Sequence, residues 1–345
     1  MRFILSFLFV VSAFLAQAQD SDRGYLYLNK ALSAEAINQV EAKTSGGGIE
    51  VTGVPSGQAR IEVYIRQNNH HGSYSKEEIQ KLISNDYDLT VTASGNKLTA
   101  IAKPKRNFSN WNNSLSISYS IYVPVSCATH LNTSGGGISI SNLNGEQHFS
   151  TSGGGLEVKG LTGKISGQTS GGGIEVSDSK DNIDLETSGG GIEAKNCSGQ
   201  IRLNTSGGSI ELNNLNGNIR ATTSGGNVEA EKITGELSTH TSGGNISLTS
   251  MSGSLEASTS GGNIDVEMSE TGKYVRLSNS GGSVHLDIPK GKGFDLDIHG
   301  DGIKTEGLSN FSGSMEKRSI NGTVNGGGTP IDIHAGSGGV TLALK

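Results

Sequence analysis

The sequence predicts an all-β chain folded as a parallel β-solenoid with 18-residue coils. Three observations carry this. The word Thr-Ser-Gly-Gly begins at Thr133, Thr151, Thr169, Thr187, Thr205, Thr223, Thr241 and Thr259, every step being 18 residues. Chance does not give seven equal intervals of a four-residue word. Between the words, apolar and polar residues alternate, the period of a strand with one buried face. Gly supplies 52 of 345 residues, about twice the usual share. Aromatics supply 5%, with one Trp, so the core must be thin and repetitive.

In chain order, the first element is a targeting segment. Arg2 gives a positive start, Phe3 to Ala16 is apolar, and Ala16-Gln17-Ala18 has the form of a cleavage site. The apolar run is shorter than the ~20 residues of a spanning helix. Cleavage is expected between Ala18 and Gln19, with export through the Sec pathway to the periplasm, outer surface or medium. Gln19 is not Cys, so no bacterial lipid anchor is encoded there, and no later segment is apolar enough to span a bilayer as a helix. Loss of Arg2 takes the net charge from −6 to −7. There is no basic excess to neutralise phosphates, which disfavours nucleic-acid partners. Gly plus Pro comes to 57 residues, below the ~25–30% of low-complexity disorder. Gly does not recur at every third position, which excludes collagen.

Before the array, residues 60 to 66 and 87 to 102 read as strands. Ser75-Lys76-Glu77-Glu78 is a capping box, followed by Ile79, Leu82 and Ile83 at helical spacing. This predicts a helix at about 75–84 that caps the open end of the stack, since solenoids must hide their terminal edges. Leu115, Ile117, Tyr119, Ile121, Val123, Val125 and Cys127 alternate as one long strand. The chain then divides into a leader over 1–18, an N-terminal β region with the helix and first coils over 19–132, the regular array over 133–284, and irregular coils with a cap over 285–345.

Within the array each repeat splits into two halves of nine. In the repeat at Thr205, Gly208 precedes Ile210 and Leu212, and Gly217 precedes Ile219 and Ala221. Each half reads as a Gly turn, supplying positive φ, and then a short strand. An antiparallel meander would need about sixteen strands in one open sheet, beyond the ~10 that twisted open sheets usually reach. Stacked coils also explain the strict spacing, because like lies over like. The handedness preference of parallel crossovers points to a right-handed coil. At ~4.8 Å per coil, some twelve coils make a rod near 60 Å long.

Three inward columns follow. The first is Ile138, Leu156, Ile174, Ile192, Ile210, Val228, Ile246 and Ile264. The second is Leu143, Leu161, Cys197, Leu215, Ile233 and Met251. The third is Ile165, Ile183, Ile201, Ile219, Leu237 and Leu255. By alternation the repeated Thr also points inward, its hydroxyl available to turn amides. Each aliphatic contributes roughly 1.5–3 kcal/mol on burial, so stability must come from many coils.

No catalytic motif is present: no G-x-S-x-G, H-E-x-x-H, C-x-x-C or Walker A word. The Gly-rich words open no helix, so they make no phosphate cradle. The calcium-binding nonapeptide also builds an 18-residue coil, but its Asp position is not filled here. Outward Thr arrays, as in ice-binding solenoids, are not expected, because the regular Thr faces in. Cys127 and Cys197 are 70 residues apart, about 19 Å along the axis at ~4.8 Å per coil. That is too far for a disulfide, which needs Cα atoms within ~7 Å. His130 and His148 share a repeat phase and are expected on adjacent coils. Two His alone make a poor metal site, and His70-His71 lie in a polar loop. Asn227, Asn245 and Asn263 replace Gly in one column, where stacked amides form structural ladders.

One outward column is acidic: Glu157, Glu175, Glu193, Glu211 and Glu229. Like charges at ~4.8 Å are unfavourable unless balanced, and Lys159 and Lys195, two positions on, are candidates to balance them. The column reads first as a solvated face that keeps the rod soluble. Its sharper reading is a stripe for divalent cations or a cationic ligand. No cofactor, catalytic residue or dedicated metal set is assigned.

Several segments carry a resemblance. These are the strand ending Tyr122-Val123-Pro124-Val125, the Ser-Gly-Gly-x-Ile-x-Val coils, Ile320-Asn321-Gly322-Thr323-Val324-Asn325-Gly326-Gly327-Gly328, and Ser337-Gly338-Gly339-Val340-Thr341-Leu342. With the leader, they resemble exported bacterial domains of unknown function grouped as candidate adhesins. Those domains are similar to the head-GIN-domain auto-transporter adhesins. The likeness covers most of residues 25 to 345. Here Gly or Asn often stands where that family commonly has Asp. The resemblance implies a β-repeat fold and an adhesive role, and it transfers no functional residue.

The expected function is therefore an exported, non-enzymatic surface that makes multivalent contacts with a glycan, matrix or envelope protein. Two alternatives remain open: a periplasmic scaffold or sensor-associated protein, and a carbohydrate-active β-helix enzyme. The enzyme would need carboxylates clustered in a cleft, and the repeats carry no long insertions to build one.

Overall fold

The computed structural model describes residues 24–32, 36–55, 57–68, 75–105 and 114–345. The expected leader and the His70-His71 pair lie outside the described residues.

From Ile138 to Ile264 the strands of the array pair in parallel with the residues 18 positions on; in the last coil the offset grows to 20, as in Leu255 against Val275 and Ile264 against Val284. Ile192 lies against Ile210, Ile210 against Val228 and Val228 against Ile246. On the other face Ile183 pairs with Ile201 and Ile201 with Ile219. A parallel i to i+18 register is a solenoid, and it excludes the meander for this region. The earlier coils each carry two strands, such as Ile192–Lys195 and Ser198–Thr205, which merge into one from Ile210–Thr222 on, and their inward residues form one core. All three predicted inward columns are buried. Where the column partner is bulky, its neighbour shrinks: Phe149 sits opposite Gly167, and a Cβ on Gly167 would lie 2.2 Å from the Phe149 ring.

The repeated word has a specific mechanical role. The Thr hydroxyl is buried and donates to a Gly carbonyl of the preceding coil, as in Thr205 Oγ1 to Gly190 O at 2.7 Å. It also accepts from its own turn, Gly208 N lying 3.3 Å away. The hydroxyl thus closes the turn and ties it to the coil below. The second Gly of the word is demanded by contact, not by φ. A Cβ on Gly208 would stand 2.2 Å from Gly190 O, and the same clash recurs at Gly154, Gly172, Gly190 and Gly226. Positive φ belongs to two other columns. One comprises Gly145, Gly163, Gly199, Gly217, Gly235 and Gly253, at φ of 110° or more. The other is mostly non-glycine: Asn142, Asp178, Asn196, Asn214, Lys232 and Ser250, at φ between 53° and 57°. The expectation that Gly supplies positive φ thus holds for Gly217 and fails for Gly208.

The two ends are built by leaving the stack and coming back. The N-terminal strands are β1 (Tyr25–Ala31), β2 (Gln39–Lys43), β3 (Ile49–Val54) and β4 (Arg60–Gln67). After helix α1 (Lys76–Asp86) come β5 (Tyr87–Ser94), β6 (Lys97–Pro104), β7 (Leu115–Pro124), β8 (Ala128–Asn132) and β9 (Ile138–Ser141). β2 and β3 flank Thr44-Ser45-Gly46-Gly47-Gly48, an outlying copy of the word near the N-terminus, and stack directly under β8 and β9. Thr133 Oγ1 donates to Gly47 O at 2.8 Å, so two words far apart in sequence are neighbouring coils. β6 and β7 form the coil outside β2 and β3. Antiparallel β5 borders β6, and β4 then β1 border β7.

α1 packs against β5 and has the predicted capping box at Ser75 and Glu78. Its Ile79 and Ile83 join the core. The end is therefore closed by a helix together with antiparallel strands. Two sequence expectations need correction. The segment 87–102 is a hairpin, turned at Gly95 with φ +62°. The long strand stops at Pro124, which has no N–H to extend the ladder, and Val125 turns outward, 46% exposed.

At the C-terminal end the chain overshoots. Phe294–His299 and Gly302–Glu306 form the outer coil. Thr329–Ala335 and Gly339–Leu344 then fill the gap between that coil and the array. Asn279 takes the Thr role there: its Nδ2 donates to Gly262 O at 2.7 Å, and its Oδ1 accepts from Gly281 N and Gly282 N.

Cys127 and Cys197 are free and buried, and burial pushes the Cys127 thiol up to about 12. Neither thiol is expected to react with a disulfide reagent at pH 8 until the protein is unfolded, when both should. Gly208→Ala is expected to cost roughly 2–4 kcal/mol. Gly207→Ala, whose Cβ would lie 3.3 Å from its nearest neighbour, should cost under about 1 kcal/mol. Thr205→Val should cost about 1–3 kcal/mol. Chemical denaturation of the three variants measures this, and equal losses at Gly207 and Gly208 would refute the contact argument.

Candidate functional site: an acidic groove

The outward row beside the turn is where the coil repeat becomes a surface. Glu157, Glu175, Glu193, Glu211 and Glu229 are consecutive partners in register, and all five are exposed. They follow the buried Leu156, Ile174, Ile192, Ile210 and Val228 of the first strand, so alternation turns each of them out. Next to them runs the third turn position: Gly48, Gly137, Gly155, Gly173 and Gly191, then Ser209. Lacking side chains, these glycines leave a trough beside the carboxylates.

The trough is a groove of about 970 Å³. Its floor is that glycine row with the bases of the Ile column. One wall is the carboxylate row from Glu50 to Glu211, and its head is closed by Tyr64 and Arg66 of β4 and the β7 hydroxyls of Ser118 and Ser120. Farther along, Asn227, Asn245 and Asn263 occupy the glycine row. Their side-chain oxygens accept from the backbone N–H one coil on: Asn245 N to Asn227 Oδ1 at 3.0 Å, Asn263 N to Asn245 Oδ1 at 2.8 Å. The predicted ladder thus runs from amide oxygen to backbone rather than amide to amide.

Among the described residues, none of the five stripe carboxylates has an ion pair or side-chain hydrogen bond. The proposed balance by lysine is not made. Lys159 and Lys195 occupy the neighbouring outward column, separated by Ser177, and neither pairs with the stripe. The stripe is a row of like charges held by backbone register. No three His, Cys, Asp or Glu converge to hold a metal among the described residues. His130 and His148 are neighbours in register, as predicted. There His148 Nε2 lies 2.9 Å from Glu146 Oε1, and Lys164 Nζ lies 2.8 Å from the same oxygen. Lys164 first, and then His148, hold the Glu146 carboxyl at about 2.

Sequence reasoning missed three groups at the groove. Glu50 belongs to the same column, paired through Ser139 to Glu157, and it accepts from Ser120 Oγ at 3.1 Å. The signal was available, since Glu50 follows Thr44 by six residues as Glu157 follows Thr151. Tyr64 and Arg66 had no such signal, because they arrive from a cap strand outside the repeat.

Residues 177–343 match the family model described as Toastrack DUF4097. No protein of curated function matches the chain. Solved structures that resemble it include the following three. A proposed cell adhesion protein from Clostridium sporogenes is 10% identical, covering 92% of this chain and 98% of that one, with a TM-score of 0.20. A proposed adhesin from Bacteroides fragilis is 13% identical over 92% and 96%, with a TM-score of 0.26. A proposed lipid-binding protein from Parabacteroides distasonis is 13% identical over 90% and 94%, with a TM-score of 0.25. Similarity at these scores carries no functional argument. Among the described residues no helix is long and apolar enough to cross a membrane.

Like charges stacked directly opposite are destabilising, and salt screens exposed pairs. Raising NaCl from low to physiological strength is therefore expected to raise Tm. Replacing all five stripe Glu by Gln should raise Tm at low salt and flatten that salt dependence. A lower Tm in the quintuple variant would show that the carboxylates are balanced by a partner. Calcium raising Tm more than NaCl of equal ionic strength, only with the Glu present, would identify a coordinating stripe.

Proposed function

We propose that this chain, whose residues 177–343 match the Toastrack family model, is an exported, non-enzymatic binding surface whose solenoid faces make multivalent contacts. The observation that carries this is the register: one outward side-chain pattern is repeated coil after coil. Glu157 to Glu211 stand beside a groove that spans several coils, and Glu229 continues their row. Identical weak subsites linked on one rigid body multiply affinity without any single strong contact. The repeat turns are short throughout the array, so the groove is an open trough rather than a cleft with opposed carboxylates of the kind glycoside hydrolysis uses. The adhesive reading fits an extended ligand, a glycan or matrix chain with hydroxyl or cationic groups, lying along the trough.

The test is accessibility of the native protein to protease or antibody on intact cells, with a periplasmic protein as control, followed by binding to immobilised glycans and matrix proteins. Exposure or release, with binding that weakens in the five-Glu variant, is the expected result. Protection until the outer membrane is opened would overturn external adhesion and leave a periplasmic scaffold.

A further inference from the structure

The C-terminal end brings together two copies of a short word that lies outside the 18-residue period. Asp297-Ile298-His299 and Asp332-Ile333-His334 are 35 residues apart in sequence. Because Thr329–Ala335 fills the gap beside the outer coil, the two words become parallel neighbours. Asp297 lies opposite Asp332 and His299 opposite His334. Ile298 and Ile333 are buried, so alternation turns all four polar side chains to the outer surface. Their Cα atoms outline a rectangle about 4.8 Å across the strands and about 6.7 Å along them.

Within this rectangle His299 Nε2 lies 3.0 Å from Asp297 Oδ1. The ring centroids of His299 and His334 are 6.3 Å apart. Asp332 is turned away, its Oδ2 lying 3.6 Å from Arg276 Nε. The flanking outward residues are Ser278 beside His334 and Ser319 beside His299, neither of them charged.

We propose that Asp297, His299 and His334 form a binding site for one borderline divalent transition-metal ion, with Zn2+ the representative case. At metal–donor distances of about 2.1 Å, two ligands on one ion sit roughly 3.0–3.4 Å apart. His299 and Asp297 already stand at that separation. His334 is on the adjacent strand and exposed, so rotation of its ring supplies the third donor, and water completes the shell. Imidazole with carboxylate suits zinc, nickel or copper better than calcium, which takes oxygen ligands. As the side chains stand, no three such donors converge. Asp297 faces its own histidine and has no lysine or arginine partner among the described residues.

The His130/His148 pair is the internal comparison. It has the same cross-strand register, but its carboxylate, Glu146, is held by Lys164 at 2.8 Å. An ion there would have to displace the lysine.

The experiment titrates the full chain with Zn2+ by calorimetry, with Ca2+ as control, and follows Tm in parallel. One Zn2+ per chain, a rise in Tm with Zn2+ and no comparable effect of Ca2+ are expected. Loss of even an outer-shell partner costs about 10–100-fold in metal affinity, so H334A, H299A and D297N should each weaken binding at least that much. H148A should leave it unchanged. The metal-free Tm of each variant should match the parent, since the side chains are exposed. Absence of Zn2+ binding at millimolar concentration would overturn the site. So would binding that survives H299A together with H334A, or binding lost in H148A.

Discussion

The structure depends on how closely the turns of successive coils approach. At the second Gly of each Thr-Ser-Gly-Gly word, a side chain would have to occupy space about 2.2 Å from the carbonyl oxygen beneath it, well inside any tolerable contact. Backbone therefore lies on backbone at this corner, and only Gly fits. The Thr beside it completes the arrangement by donating to the carbonyl below and accepting from its own turn. A buried turn would otherwise leave polar groups unsatisfied. Together the two residues hold each coil over its predecessor. The substitution at Asn279 shows that the requirement is for a buried donor and acceptor at that point rather than for Thr itself.

Once the corner fixes the register, every other property of the array follows it. Inward columns stay aliphatic because each side chain sits between its equivalents, and a large one needs a small neighbour, as Phe149 needs Gly167. Outward columns inherit the same regularity without any packing reason. This stacks five unpaired carboxylates at strand spacing, a cost that the backbone ladders absorb. It also makes the groove: the third turn position tolerates a side chain, yet it is Gly in the first coils and Asn later. In the later coils the Asn oxygens accept backbone N–H groups, and in the early coils the space is left open as a trough. The exposed row and the open trough together recommend a contact surface over a chemical one.

The ends obey a different rule. A stack of parallel coils has two raw edges at each end, and unpaired edges invite further pairing. Here the N-terminal end is finished with antiparallel strands on both faces, and at the C-terminal end antiparallel Ser319–Val324 and Phe311–Met315 cover the edge of Phe294–His299; both are reached by chain that leaves the stack and then returns to it. At the C-terminal end the last two strands slide between coils already laid down. This is a long-range closure of the kind that slows folding.

The sequence by itself determined the solenoid, its 18-residue register, the three inward columns, the buried Thr, the capping helix and the acidic row. All of these follow from period and alternation, which are local and repeat many times. Tertiary structure decided what no period records. It put the Thr44 word under Thr133, since the intervening chain builds the cap elsewhere. It ended the long strand at Pro124 and folded 87–102 into a hairpin. It brought Tyr64 and Arg66 to the groove, and His334 beside His299, across separations that are not multiples of 18. A repeat specifies neighbours only where the chain continues into the next coil. Where it leaves and returns, the neighbour is set by which edge is still unpaired, and that is a property of the folded stack.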